Sequence, residues 1–283
     1  MRLANLGGRL VLLTDAAAID VAVASGGRFG PDPQAVYDVW PDFVEWADAG
    51  SIGAGAEVAA VDQSALGPVV PRPRQIFAVG LNYVDHTAES GFAQPAQPMV
   101  FTKFQSCLFG PFGDIALPSG SVDWEIELVV VVGRTASRVP AGSAWGHVAG
   151  LTIGQDLSDR ATQMLGVPPQ FSLGKSFPGF GPVGPWLATV DEVADPEALS
   201  LTTAVNGETV QDGNTRDMVF PVGELISYLS GVCTLHPGDL IFTGTPPGVG
   251  MGRRPPRYLA PGDVLESRID GLGTMRHRLT GPA

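Results

Sequence analysis

Asp123-Trp-Glu-Ile-Glu127, running into Leu-Val-Val-Val-Val, sets two carboxylates two residues apart. Side chains alternate faces along a strand, so Glu125 and Glu127 share one face, while Ile126, Leu128, Val130 and Val132 make the other apolar. Two like charges roughly 7 Å apart at the head of an apolar strand call for a cation. The plain alternative is a solvated strand edge carrying two glutamates. Asp156 offers a third oxygen. It follows a strand candidate over Val148–Gln155 and precedes a short helix, where aspartate also serves as an N-cap. Three carboxylates without a Cys/His cluster suit a hard cation, Mg²⁺ or Mn²⁺, better than zinc.

A second group lies in Gly80-Leu-Asn-Tyr-Val-Asp-His86-Thr-Ala-Glu89. If Asp85–Ser90 is helical, His86 and Glu89 stand at i and i+3 and face each other. A histidine held by a carboxylate can take a proton from water; an ordinary exposed pair is the alternative. His147, His236 and His277 read as structural or surface residues. Lys175, one of only two lysines, sits among aromatics and glycines in Phe171-Ser-Leu-Gly-Lys-Ser-Phe. Such an amine can neutralise a substrate carboxylate or a developing enolate, or it can snorkel to the surface. Thr243-Gly-Thr-Pro-Pro-Gly-Val-Gly250 offers hydroxyls and backbone N–H groups to an anion. It is no Walker loop, and neither a dinucleotide-binding glycine fingerprint nor a nucleophile elbow occurs.

The elements that must hold these groups are mostly strands. Gln75–Val79, Met99–Phe104, Glu125–Val132, Val148–Gln155, Leu201–Asn206, Asp239–Thr243, Val264–Ile269 and Thr274–Leu279 fit strand patterns. Helices are expected over Asp85–Ser90, Ser158–Leu165 and Val222–Leu229. Ahead of them, residues 1–70 read as a small α+β unit: short strands over Met1–Leu13 and Asp20–Ala24, then Val36, Trp40, Phe43 and Ala47 at helical spacing, interrupted by Pro41, so that two short helices or a kink are expected. The Pro/Arg-rich segment ending at Arg74 places a boundary near residue 70, with a larger domain over 71–283. The expected fold class is α+β and β-dominated, with a curved or barrel-like sheet.

With 283 residues, 44% apolar and 16% charged, the chain can bury a sizeable core. A formal net charge of -12 argues against nucleic acid as a partner, and no apolar run suggests a membrane span. No secretory signal is read, and two cysteines cannot form a disulfide framework, so a cytoplasmic location is expected.

Taken in order, Val79–His86, Phe101-Thr-Lys-Phe104, Asp123–Glu127, Gly154-Gln-Asp-Leu-Ser-Asp-Arg160, Gly174-Lys-Ser-Phe177 and Thr243-Gly-Thr-Pro246 resemble the fumarylacetoacetate hydrolase family over residues 73–279. The resemblance implies a twisted β-roll catalytic domain behind a small N-terminal domain, and a homodimer. It implies Mg²⁺ or Mn²⁺, with Ca²⁺ also used in the family, on Glu125, Glu127 and Asp156. It makes His86 and Glu89 a water-activating dyad, Lys175 a substrate-facing lysine, and Gln163 and Thr245 substrate contacts. Leu81-Asn82-Tyr83 stands where some members carry a further carboxylate ligand, so the site is similar to the three-carboxylate branch. The implied activity is metal-dependent hydrolysis of a carbon–carbon bond in a β-diketo acid of acylpyruvate or fumarylacetoacetate type, through an enolate. Isomerisation or decarboxylation of 2-oxo dioates, oxaloacetate included, is the alternative. A non-catalytic metal-stabilised binding protein is a third reading, set aside because His86 and Glu89 are both present.

Overall fold

The strand Ile126–Val132 is buried along its whole length in the computed structural model, which describes residues 1–15, 17–50, 56–58, 61–85, 94–118 and 120–282. It pairs antiparallel with Val148–Gln155 on one side and with Leu240–Phe242 on the other. Leu240–Phe242 in turn runs parallel to Ile76–Gly80, which carries Met99–Thr102 at its far edge. Beyond Val148–Gln155 lies Gly181–Ala188, and beyond that the N-terminal strands Arg2–Leu6, Arg9–Leu13 and Ala18–Asp20. These strands make one open sheet. A separate five-stranded sheet contains Ser200–Val205, Glu208–Asn214, Val264–Ile269, Gly273–Thr280 and Phe112–Ala116. The fold is therefore a β-dominated α+β architecture, and no described sheet closes on itself.

Both faces of the central strand carry a core. Ile126, Leu128, Val130 and Val132 pack with Leu201, Ile269 and Met275 of the second sheet and with Val222, Ile226 and Leu229 of the helix Val222–Val232. Val129 and Val131 pack with Leu3, Tyr37, Trp40 and Phe43 of the N-terminal segment. Each fully buried aliphatic side chain contributes about 1.5–3 kcal/mol by leaving water. Glu125 and Glu127 lie on the Val129 face, which is apolar further along the strand and is not a solvated edge.

The N-terminal elements differ from their sequence patterns in one place. The strand expected at Asp20–Ala24 is split: Ala18–Asp20 is extended, and Val21–Ala24 is one helical turn capped by Asp20, whose side chain accepts from the Val23 N–H at 3.0 Å. Around Pro41 the chain forms two short helices, a 3-10 helix over Ala35–Val39 and an α-helix over Trp40–Asp48, with Pro41 in the first turn of the second, where its missing N–H costs nothing. No helix among the described residues is long and apolar enough to cross a membrane.

Candidate active site and metal centre

The ends of three adjacent strands bring the carboxylates together. Glu125 and Glu127 stand at the head of the central strand, Asp156 just past the end of Val148–Gln155, and Gly244 just past Leu240–Phe242. One oxygen each of Glu125, Glu127 and Asp156 lies within 4.8 Å of the others, and all three side chains are buried. The Glu125 backbone is fixed from two sides, since its N–H donates to Gln155 Oε1 and its carbonyl accepts from the Asp156 N–H, both at 2.9 Å. Glu127 Oε2 accepts from the Gly244 N–H at 2.7 Å. Gly244 holds φ +102°, and a Cβ there would press on Asn82, so only glycine lets that N–H turn inward.

Burial, with Asp156 and Glu125 beside it, pushes the Glu127 carboxyl well above the usual carboxylate range. A divalent cation among the three oxygens would relieve that repulsion. Hard, closely spaced carboxylate donors fit Mg²⁺ or Mn²⁺, so this is the candidate metal centre.

Two lysines and an arginine balance the charge. Lys175 is 2% exposed; it does not snorkel. Its Nζ lies 2.8 Å from Glu125 Oε2 and 2.6 Å from Asp156 Oδ2, 5.0 Å above the Phe101 ring. Burial works against the Lys175 charge, but Asp156 and Glu125 outweigh it and hold its pKa above the ordinary value. Lys103, also buried, donates to Asp156 Oδ1 at 2.6 Å and to the Lys175 carbonyl. Arg160 pairs with Glu125 Oε1 and Asp123 Oδ2, each at 2.7 Å, and donates to Gln163 Oε1 at 2.8 Å.

Of these groups, Glu125, Glu127, Arg160 and Lys175 line a cleft. Its polar lining includes Glu125, Glu127, Lys175, Gln163 and Thr245, and Phe101, Met164 and Phe171 supply apolar surface. Gly174 permits the close approach of the Lys175 segment, because a Cβ there would run into the backbone of Gln163. The Thr245 hydroxyl is occupied by the fold: it donates to the Ile126 carbonyl and accepts from Gln211 Nε2, both at 2.8 Å. His86 and Glu89 lie outside the described residues. The chain leading to them is pinned by buried Asn82, whose amide nitrogen donates to the Thr243 carbonyl at 2.7 Å and whose amide oxygen accepts from the Phe220 N–H at 2.8 Å.

The model of the fumarylacetoacetate (FAA) hydrolase C-terminal domain matches residues 75–280. The chain belongs to the fumarylacetoacetate hydrolase family. Within that family, a human mitochondrial oxaloacetate tautomerase is 46% identical over 216 residues, covering 76% of this chain and 68% of the relative. A crystal structure from Mycobacterium smegmatis is 53% identical, with TM-score 0.96 and full coverage of both chains. Maleylpyruvate hydrolase from Sphingobium sp. SYK-6, solved with manganese(II) and pyruvate, is 30% identical with TM-score 0.79, again covering all of both chains.

For this family member the motif residues without an expected role are as closely engaged as those with one. Lys103, Asp123 and Arg160 all lie inside the motifs that carry the resemblance, and all three are buried within hydrogen-bond reach of the carboxylate cluster or of residues lining the cleft. The available signal was the scarcity of lysine: an acidic chain with two lysines places both on Asp156. The capping role considered for Asp156 belongs to Asp159, whose Oδ1 accepts from the Ala161 N–H at 3.1 Å.

Proposed function

We propose that this chain is a divalent-metal-dependent enzyme that interconverts the keto and enol forms of a small 2-oxo dicarboxylate, with oxaloacetate the first substrate to test. The observation that carries this reading is the placement of Glu125, Glu127 and Lys175 in the lining of one cleft, with Asp156 buried beside them. The 46% identity to an oxaloacetate tautomerase supports the substrate class. A cation held by Glu125, Glu127 and Asp156 would supply Lewis-acid polarisation of the 2-oxo group and a counter-charge for the enolate.

Lys175 has a raised pKa and so stays an ammonium at neutral pH. It serves as a donor and counter-charge for a developing oxyanion, not as the base. In a protein of net charge -12, attraction of a dianionic substrate must be local, and Lys175 supplies it together with the cation. Gln163 and Thr245 shape the lining of the site. His86, oriented by Glu89, takes the proton from the carbon next to the 2-oxo group.

A second reading is favoured by the maleylpyruvate hydrolase at 30% identity, whose structure holds manganese and pyruvate. In that case His86 takes its proton from water, and the water attacks a distal carbonyl of an acylpyruvate.

One experiment separates the two. With Mn²⁺ or Mg²⁺, the enol absorbance of fresh oxaloacetate is followed beside the cleavage of an acylpyruvate. Faster enol loss without oxaloacetate consumption supports tautomerisation. Cleavage of the acylpyruvate with no effect on oxaloacetate replaces it with the hydrolase, and silence in both overturns the enzyme reading. In either reaction, His86→Ala is expected to lower turnover by about 10²–10⁴.

A further inference from the structure

Asp123 does not itself line the cleft, yet it is fully buried two residues before a carboxylate of the metal centre and is saturated with donors. Its Oδ1 accepts from the N–H groups of Gly250 at 2.7 Å and Trp124 at 2.8 Å. Its Oδ2 accepts from Arg160 Nε at 2.9 Å, Arg160 Nη2 at 2.7 Å and the Met251 N–H at 2.9 Å. Arg160 is thus gripped through two nitrogens, and its remaining terminal nitrogen, Nη1, donates to Gln163 Oε1 at 2.8 Å. A guanidinium has donors only, so the end of the Gln163 amide that meets it must be the oxygen. Met251 and Gln163 both line the cleft. The carboxylate therefore ties two walls together from behind.

We infer that Asp123 is a positioning residue: by fixing Arg160 it locks the Gln163 amide with its oxygen turned away, leaving N–H donors as the group Gln163 offers to a ligand. The cleft then selects a substrate with an oxygen acceptor at that place, a carboxylate or carbonyl, and disfavours a hydroxyl or ammonium donor. This inference rests on the proposed place of Gln163 beside the substrate.

The geometry of the whole grouping supports a lock over a mobile arginine. Arg160 lies between two buried carboxylates, with Nη2 2.7 Å from both Asp123 Oδ2 and Glu125 Oε1. An asparagine at 123 has one acceptor oxygen. It can serve either Arg160 or the Gly250 and Trp124 N–H groups, and its amide nitrogen then opposes the other donors.

The test is a double-mutant cycle on the Mn²⁺-loaded enzyme, read as the KM for oxaloacetate and the inhibition constant of pyruvate. Asp123→Asn is expected to raise both by roughly 10–100-fold, and Gln163→Ala to do the same. Combined, they should give little more than either alone, because the first acts through the second. Additive effects overturn the inference while leaving Gln163 in the substrate site. Unchanged constants in Gln163→Ala remove Gln163 from that site and overturn the inference with it. A further variant leaves Asp123 untouched: Gln163→Glu keeps an oxygen for Arg160 but replaces the free donor with an acceptor. It should raise KM more than Gln163→Ala does, and an equal or smaller rise overturns the lock.

Discussion

Lys103 and Lys175 grip opposite oxygens of one carboxylate: the first lies 2.6 Å from Asp156 Oδ1, the second 2.6 Å from Asp156 Oδ2. Their surroundings divide the labour. Lys175 lines the cleft; Lys103 does not, and its side chain has no exposed surface. One lysine can meet a substrate, and the other can act only on the protein.

Lys103→Met should therefore be a stability variant that metal rescues. Removing one partner of a buried ion pair costs up to about 3–5 kcal/mol, and Lys175 alone is then left to balance Asp156 beside Glu125 and Glu127. A cation on the carboxylates provides the missing counter-charge. Thermal melts in chelator are expected to show a large fall in Tm, and melts in millimolar Mn²⁺ a much smaller one. An equal fall in both would show that Lys103 does not balance the metal centre.

Lys175→Met should separate differently. The Mn²⁺-dependent rise in Tm should persist, since Glu125, Glu127 and Asp156 remain. Turnover should fall by about 10²–10³ with a smaller change in KM, the pattern of a lost oxyanion donor. A raised KM at unchanged kcat would instead make Lys175 a ground-state carboxylate anchor.

A third prediction concerns pH and lies away from the site. His277 is fully buried on the Gly273–Thr280 strand; its Nε2 lies 2.9 Å from the Gly110 carbonyl, which makes it the donor, while Nδ1 has no partner among the described residues. Burial lowers its pKa from 6.5 to about 4. The unfolded chain thus takes up this proton first as pH falls. The neutral ring's contribution to stability is complete above about pH 6.5 and is lost as pH falls toward about 4, by on the order of 3 kcal/mol. His277→Gln should melt at a lower temperature at pH 7.5 yet lose less on going to pH 4.5. A wild-type acid limb retained in the variant would assign the acid sensitivity to other groups.

The carboxylate centre was legible because two local rules suffice for it. Strand alternation puts Glu125 and Glu127 on one face, and a strand end places Asp156 beside them. Lys103 was not, because Phe-Thr-Lys-Phe gives a strand pattern and names no partner for the lysine. Its burial depends on contacts 53 and 72 residues away. Gly181–Ala188 escaped for a different reason. Pro182 and Pro185 with two glycines spell a loop, whereas this segment is a strand joining the N-terminal strands to the rest of the sheet. The helical turn at Val21–Ala24 was hidden by alternating valine and alanine, a pattern a short helix also tolerates once Asp20 caps it.

The pairing of Arg2–Leu6 with Gly181–Ala188 has a further consequence for anyone dissecting this protein. Residues 1–70 act as an edge guard. Cutting them away would uncover the Leu187–Ala188 end of that strand, and would strip Trp40 and Phe43 from the apolar face of Val129 and Val131. An unpaired, hydrophobic sheet margin recruits other chains. A truncation that keeps every residue of the cleft would thus be expected to aggregate before its chemistry could be measured.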